Sequence, residues 1–167
     1  EQPPSPSANT ESPGELFGNY ELISLLGEGG MGRVFKARHT RLGRLVALKV
    51  LKPEHAQNRG LVQRFFDEAL AVNQIDHEHI VDIHDFVEDV SVDPPRVYCV
   101  MELLEGESLA DRMVRAPLPV TAAVDIIRQV CSALQAAHTV GVYHRDIKPD
   151  NVFLAQRGGA RDFVKVL

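Results

Sequence analysis

The chain has 167 residues, 44% hydrophobic and 25% charged, which is enough apolar material to bury a core in one domain or two small ones. A net charge of -5, with the 18 Lys and Arg scattered rather than striped, argues against nucleic acid as a partner. No apolar run approaches the ~20 residues that span a bilayer and the N-terminus lacks the regions of a signal peptide, so this segment is expected to have no membrane span and a cytoplasmic location.

Residues 1–14, "EQPPSPSANTESPG", hold four of the ten prolines and little that could bury surface, and are expected to be a disordered linker. From Tyr20 the pattern is strand-like: "YELISLL", the glycine-rich "GEGGMG", "RVFKARH", the turn "TRLGR" and "LVALKVL" read as an antiparallel meander. Residues 60–75 switch to a helical period, with Leu61, Phe65, Val72 and Ile75 on one stripe at about 100° per residue. Two more strands follow, "IVDIHDFV" and "RVYCVMELL". A later helix places Val124, Ile127, Cys131 and Leu134 on one face and stops at Gly141. Five strands and one helix within residues 20–104, followed by mainly helical pattern over 105–167, make an α+β chain. Cys99 and Cys131 lie in apolar runs and are expected as buried thiols of a reducing compartment.

Three polar features stand out against this background. "LGEGGMGRV" spaces Gly27, Gly29 and Gly32 as G-x-G-x-x-G-x-V. A dinucleotide-binding turn would pass into a helix and meet an acidic residue about 20 positions on, whereas here a strand follows. A glycine-rich hairpin can close its backbone N–H groups over phosphates, although a plain hairpin turn has the same sequence. Lys49 sits in the apolar strand "VALKVL", and Glu68 falls about 20° from Leu61 on the helical wheel, within the apolar stripe. Two misplaced opposite charges are most simply explained by pairing with each other, either as a structural ion pair or with Lys49 also holding phosphates. Finally, "VYHRDIKPDN" gathers Asp146, Lys148, Asp150 and Asn151 in one loop, with Asn151 five positions after Asp146. His77, His79 and His84 show no metal-ligand spacing.

Taken together and in order, the glycine loop, "VALK", the helix Glu, "VMELLEG" and "HRDIKPDN" resemble the protein kinases from Tyr20 to Leu167. Lys148 resembles the serine/threonine branch, and "GEGGMGRVFKARH" and "HEHIVDIHDF" are similar to its eukaryotic-like (Hanks-type) bacterial members. The resemblance implies a kinase fold with a five-stranded antiparallel small lobe carrying one helix, and the first part of a helical large lobe. It implies ATP and Mg²⁺ as cofactors, and protein Ser/Thr as substrate. Asp146 would accept or orient the hydroxyl proton, Lys148 would stabilise the transferring phosphoryl, and Asn151 would hold one Mg²⁺. Lys49 would hold phosphates, with Glu68 fixing its position. The nucleotide would lie against Leu26, Gly27, Glu28, Gly29, Gly30, Met31 and Gly32 of the loop. Val34, Ala47 and Phe153 would sandwich the adenine, Met101 would be the gatekeeper, and the Glu102 carbonyl and Leu104 N–H would meet the base edge.

The sequence opens with Glu rather than Met and stops in "FVKVL", so both ends read as fragment boundaries of a longer parent. The D-F-G, activation-segment and A-P-E motifs of the family do not occur, and the fragment by itself is expected to be catalytically incomplete. A pseudokinase or scaffold that binds nucleotide without catalysis is the alternative. A small-molecule phosphotransferase of related fold fits less well, because "HRDIKPDN" is complete. The resemblance leaves self-association and autophosphorylation of the parent open.

Overall fold

Period-two alternation from Tyr20 builds the first sheet of a computed structural model that describes residues 11–167. Its strands are β1 (Leu16–Phe17), β2 (Tyr20–Glu28), β3 (Gly32–His39), β4 (Leu45–Leu51), β5 (Ile83–Asp89) and β6 (Arg96–Met101). They lie in the order β1-β2-β3-β4-β6-β5, and β1 to β4 are paired antiparallel. One face buries Phe17, Leu22, Phe35, Ala37, Val46, Leu48, Val50, Tyr98 and Val100 in a single core. Phe35 and Leu48 face each other across β3 and β4, the aromatic–aliphatic pairing that pins a register.

The sheet has six strands rather than the five expected, because two residues before the meander pair with Tyr20 and Glu21. Too short to show a period, β1 is held by Phe17, which is buried and meets Tyr98 edge-on at 5.5 Å. The linker expected over residues 1–14 lies outside the described residues as far as residue 10. Residues 11–14 are tied down: Gly14 N–H donates to the Leu22 carbonyl at 2.7 Å, and Glu11 pairs with Arg33.

Gly32 has a steric reason to be glycine. A Cβ there would stand 2.3 Å from the Val50 carbonyl oxygen, and backbone cannot step aside as a side-chain tip can. Gly32→Ala is therefore expected to cost about 1–3 kcal/mol as overpacking, whereas Gly27→Ala, with nothing within 4 Å, changes stability far less. Thermal melting checks this, and equal melting temperatures for the two variants would refute it.

After β4 come α1 (Pro53–Ala56) and α2 (Arg59–Asn73). The second sheet consists of β7 (Gly106–Ser108), β8 (Val152–Arg157) and β9 (Ala160–Val166), in that order. Between β7 and β8 run α3 (Leu109–Arg115), α4 (Val120–Thr139) and a 3₁₀ turn at Pro149–Asn151. The Ser108 hydroxyl caps α3 by accepting from Asp111 N–H at 3.0 Å. The core here contains Ile80, Leu109, Ile126, Val130, Ala133, Val152, Leu154, Val164 and Val166.

Two helix faces differ from expectation. In α4 the buried line is Ile126, Val130, Ala133 and Ala137, while Val124, Ile127 and Cys131 are exposed. Both lines are apolar at helical spacing, so periodicity could not choose between them; packing under Val152, Leu154 and Val164 did. Cys131 is accordingly an exposed thiol, and only Cys99 is buried. In α2 the buried residues are Val62, Phe65 and Ala69, which leaves Glu68 exposed on the flank of the apolar stripe.

The described residues form two compact units, 11–65 with 85–100 and 66–84 with 101–167. This partition departs from a boundary after residue 104, because Val72, Ile75 and Ile80 pack into the core of the second unit.

Candidate active site

In the first unit, strand register gathers several of the candidate residues. Gly27 pairs with Val34 across β2 and β3, and Val34 pairs with Lys49 across β3 and β4, so the three form one row. Ala47 lies two residues before Lys49, hence on the same side of β4. Leu48 and Val50 take the opposite side and fill the core, which is why an ammonium can stand in so apolar a strand. Lys49 is half-buried, with Nζ 5.4 Å from the centroid of the Phe65 ring. Burial pushes the neighbouring Cys99 thiol up to about 12 despite the Lys49 charge, so Cys99 stays a neutral packed group.

At the hairpin tip, Gly29 N–H donates to the Gly32 carbonyl at 2.9 Å, and Lys52 N–H to the Met31 carbonyl at 3.1 Å. A Cβ added to Gly27 or Gly30 would meet nothing within 4 Å, and neither residue has a positive φ. Packing and backbone conformation do not require glycine at these two positions. Leu26 and Glu28 are exposed and Met31 is half-buried beside them.

In the second unit, the loop after α4 folds around the Asp146 carboxylate. Lys148 Nζ stands 3.0 Å from Asp146 Oδ2, while Asn151 Nδ2 donates to the Asp146 carbonyl at 2.8 Å and to Oδ2 at 3.1 Å. The hydrogen bond from Lys148 is the main reason Asp146 is held below the usual carboxylate range, and the same bond raises Lys148. Asp146 is exposed and ionised. Beneath it, His144 Nδ1 accepts from Asp146 N–H at 3.2 Å, which leaves Nε2–H to donate to the Leu167 carbonyl at 2.7 Å. Arg145, between them, adopts φ 64°, the sharp bend that turns Asp146 outward.

A family model described as the protein kinase domain matches residues 20–167. The chain belongs to the protein kinase family. It is 48% identical over 154 residues to the serine/threonine-protein kinase Pkn1 of Myxococcus xanthus, covering 92% of this chain and 22% of that protein. It is 40% identical over 142 residues to the serine/threonine-protein kinase PknD of Mycobacterium tuberculosis, covering 84% of this chain and 21% of the relative. The chain thus spans about a fifth of the length of these relatives. Among solved structures, the PknI kinase domain of Mycobacterium tuberculosis matches with a TM-score of 0.74 and 31% identity over 94% of this chain and 62% of that one. The chain is thus of bacterial Hanks type, with the α+β kinase fold.

Within this kinase chain the predicted residues fall into three local groups. Gly27, Val34, Ala47 and Lys49 share the first sheet, and Asp146, Lys148 and Asn151 share one loop. Met101, at the end of β6, leads into Glu102 and Leu104, all half-buried, and half-buried Phe153 opposes Ser108 and Lys165 in the second sheet. Glu68, expected within the apolar stripe of its helix, is exposed, and Lys49 is half-buried.

One residue was missed. Lys165 is 4% exposed, and its Nζ donates to Glu102 Oε1 at 2.5 Å and to the Ile80 carbonyl at 2.9 Å. Glu102 Oε1 also accepts Asp82 N–H at 2.9 Å, fixing the segment that carries Glu102. The clue was an ammonium in the apolar run "FVKVL", the same signal that singled out Lys49.

Proposed function

We propose that this chain carries the nucleotide-binding and catalytic-loop portion of an ATP-dependent kinase that transfers the γ-phosphoryl group to Ser or Thr of proteins. The observation that supports this most is the Asp146 carboxylate, exposed, ionised, and oriented by Lys148 and Asn151 within residues 146–151. A carboxylate held below its usual range is a weak base. Its part is to orient the substrate hydroxyl and take the proton as the new P–O bond forms and the bond to the departing ADP breaks. Lys148 offsets charge on the transferring group, and Lys49 holds the phosphates, the role in which the family resemblance gives Glu68 the task of fixing it. The residues of the glycine-rich hairpin, Leu26 to Gly32, cover the phosphates through backbone N–H groups. In the first unit Val34 and Ala47 are the apolar groups offered to the adenine; in the second unit Phe153 is, with the Glu102 carbonyl and Leu104 N–H for the base edge and Met101 as the bounding side chain.

The donor set of the loop fits Mg²⁺. Asn151 spends its Nδ2 on Asp146, leaving Oδ1 as a hard oxygen ligand, the type this ion prefers. Bound with ATP, the ion would neutralise phosphate oxygens, and Asn151 would be one of its holders.

The test is transfer from γ-labelled ATP to peptides by the full-length protein, with Mg²⁺ present. Labelled Ser or Thr is the expected result. Labelling of Tyr alone would refute the branch assignment, and nucleotide binding without any transfer would favour the pseudokinase alternative.

A further inference from the structure

The glycine-rich hairpin is wired to a residue that precedes the part of the chain matched by the kinase family. At its base Glu28 and Arg33 are cross-strand partners, and Arg33 Nε lies 3.5 Å from Glu28 Oε2. Glu28 Oε1 also binds Lys52 Nζ at 2.9 Å, and the hydrogen bond from Lys52 is the main reason the Glu28 carboxyl is lowered. Arg33 turns its Nη1 to Glu11 Oε2. These groups are not equally wet: the Glu11 side chain is 7% exposed and that of Arg33 19%, against 45% for Glu28. Glu11 therefore sits in the most buried link of a chain running Glu11–Arg33–Glu28–Lys52.

The far end of that chain grips the hairpin tip. Lys52 N–H donates to the Met31 carbonyl at 3.1 Å, and the His55 ring Nε2 meets the Gly30 carbonyl at 3.2 Å. The near end is anchored independently of the hairpin. Glu15 pairs with Arg96, whose Nη1 donates to the Leu16 carbonyl at 2.8 Å and whose guanidinium lies 4.6 Å from the Phe17 ring centroid. We infer that Glu11 is a positioning residue for the glycine-rich hairpin: by satisfying Arg33 it leaves Glu28 to Lys52, and so keeps the tip on the turn at residues 52–55. Without the Glu11 charge, Arg33 takes Glu28 for itself and Lys52 is released. The consequence for ATP rests on the reading of the hairpin as the phosphate cover.

The experiment compares Glu11→Gln, Glu15→Gln and Lys52→Met in the full-length protein by amide exchange over residues 28–31 and by kinetics with varied ATP. Glu11→Gln is expected to speed exchange at the tip and to raise KM for ATP about fivefold or more, in the range of ordinary coupling between sites, with kcat within about twofold. Lys52→Met gives the same change and is not additive with Glu11→Gln; it carries the test if Glu11→Gln does not fold. Glu15→Gln, which loosens the same segment without touching the hairpin, leaves both readouts at the wild-type level. Tip exchange in Glu11→Gln equal to wild type, or an equal effect from Glu15→Gln, overturns the inference. Amide exchange decides it even if the protein turns over no ATP, which would sink the kinase reading alone.

Discussion

Asp146→Asn is expected to lower turnover of the full-length protein by about 10²-fold or more while leaving ATP affinity nearly unchanged. The carboxamide is isosteric, so the loop can keep its shape. What it loses is the acceptor that Lys148 and Asn151 orient toward solvent, at Oδ2 distances of 3.0 and 3.1 Å. General-base assistance is typically worth 10²- to 10⁴-fold, and the weak basicity of a carboxylate below its usual range argues for the lower part of that interval. Steady-state turnover alongside calorimetric binding of an ATP analogue separates the two effects. Turnover at the wild-type level would remove Asp146 from the reaction, and a parallel loss of ATP affinity would show that the substitution had unfolded the loop.

Lys49→Met is expected to reduce turnover by about 10²-fold or more, the usual loss when one preorganised donor to developing charge is removed. Stability should change by less than about 1.5 kcal/mol, since Met preserves the aliphatic volume along β4 and can set a thioether against the Phe65 ring where the ammonium stood. The half-burial of Lys49 strengthens the expectation, because its charge is not locked in a dry core whose collapse would follow from losing it. Melting temperature and rate must be measured on the same preparation. A variant that melts far lower yet keeps its rate would make Lys49 a structural cation and nothing more.

Much of the polar loop at residues 146–151 was legible in the sequence. Asp146, Lys148 and Asn151 meet within a single turn, so their juxtaposition follows from spacing along the chain. The same holds for Gly27, Val34 and Lys49, since a hairpin and a meander bring near-neighbours in sequence into adjacent strands. The burial of Glu68 was misjudged because a helical wheel shows only that a residue is close to an apolar stripe, and its edge is drawn by what packs there.

The sequence by itself determined the meander from Tyr20, the helix after it and the identity of the polar loop, because period, glycine spacing and local charge are properties of neighbouring residues; the two-residue β1 and the sheet of β7, β8 and β9 within a stretch expected to be mainly helical came only with the tertiary structure. Tertiary structure decided which of two apolar lines α4 buries, since both have the same period and only Val152, Leu154 and Val164 tell them apart. It also decided the partners of isolated charges. Lys165 finds Glu102 across 63 residues and Arg33 finds Glu11 across 22, separations at which no local pattern constrains the meeting. An ammonium or guanidinium in an apolar strand announces that a partner is needed, because leaving it unpaired costs several kcal/mol. Which carboxylate answers depends on how distant segments close upon one another, and the apolar core sets that closure.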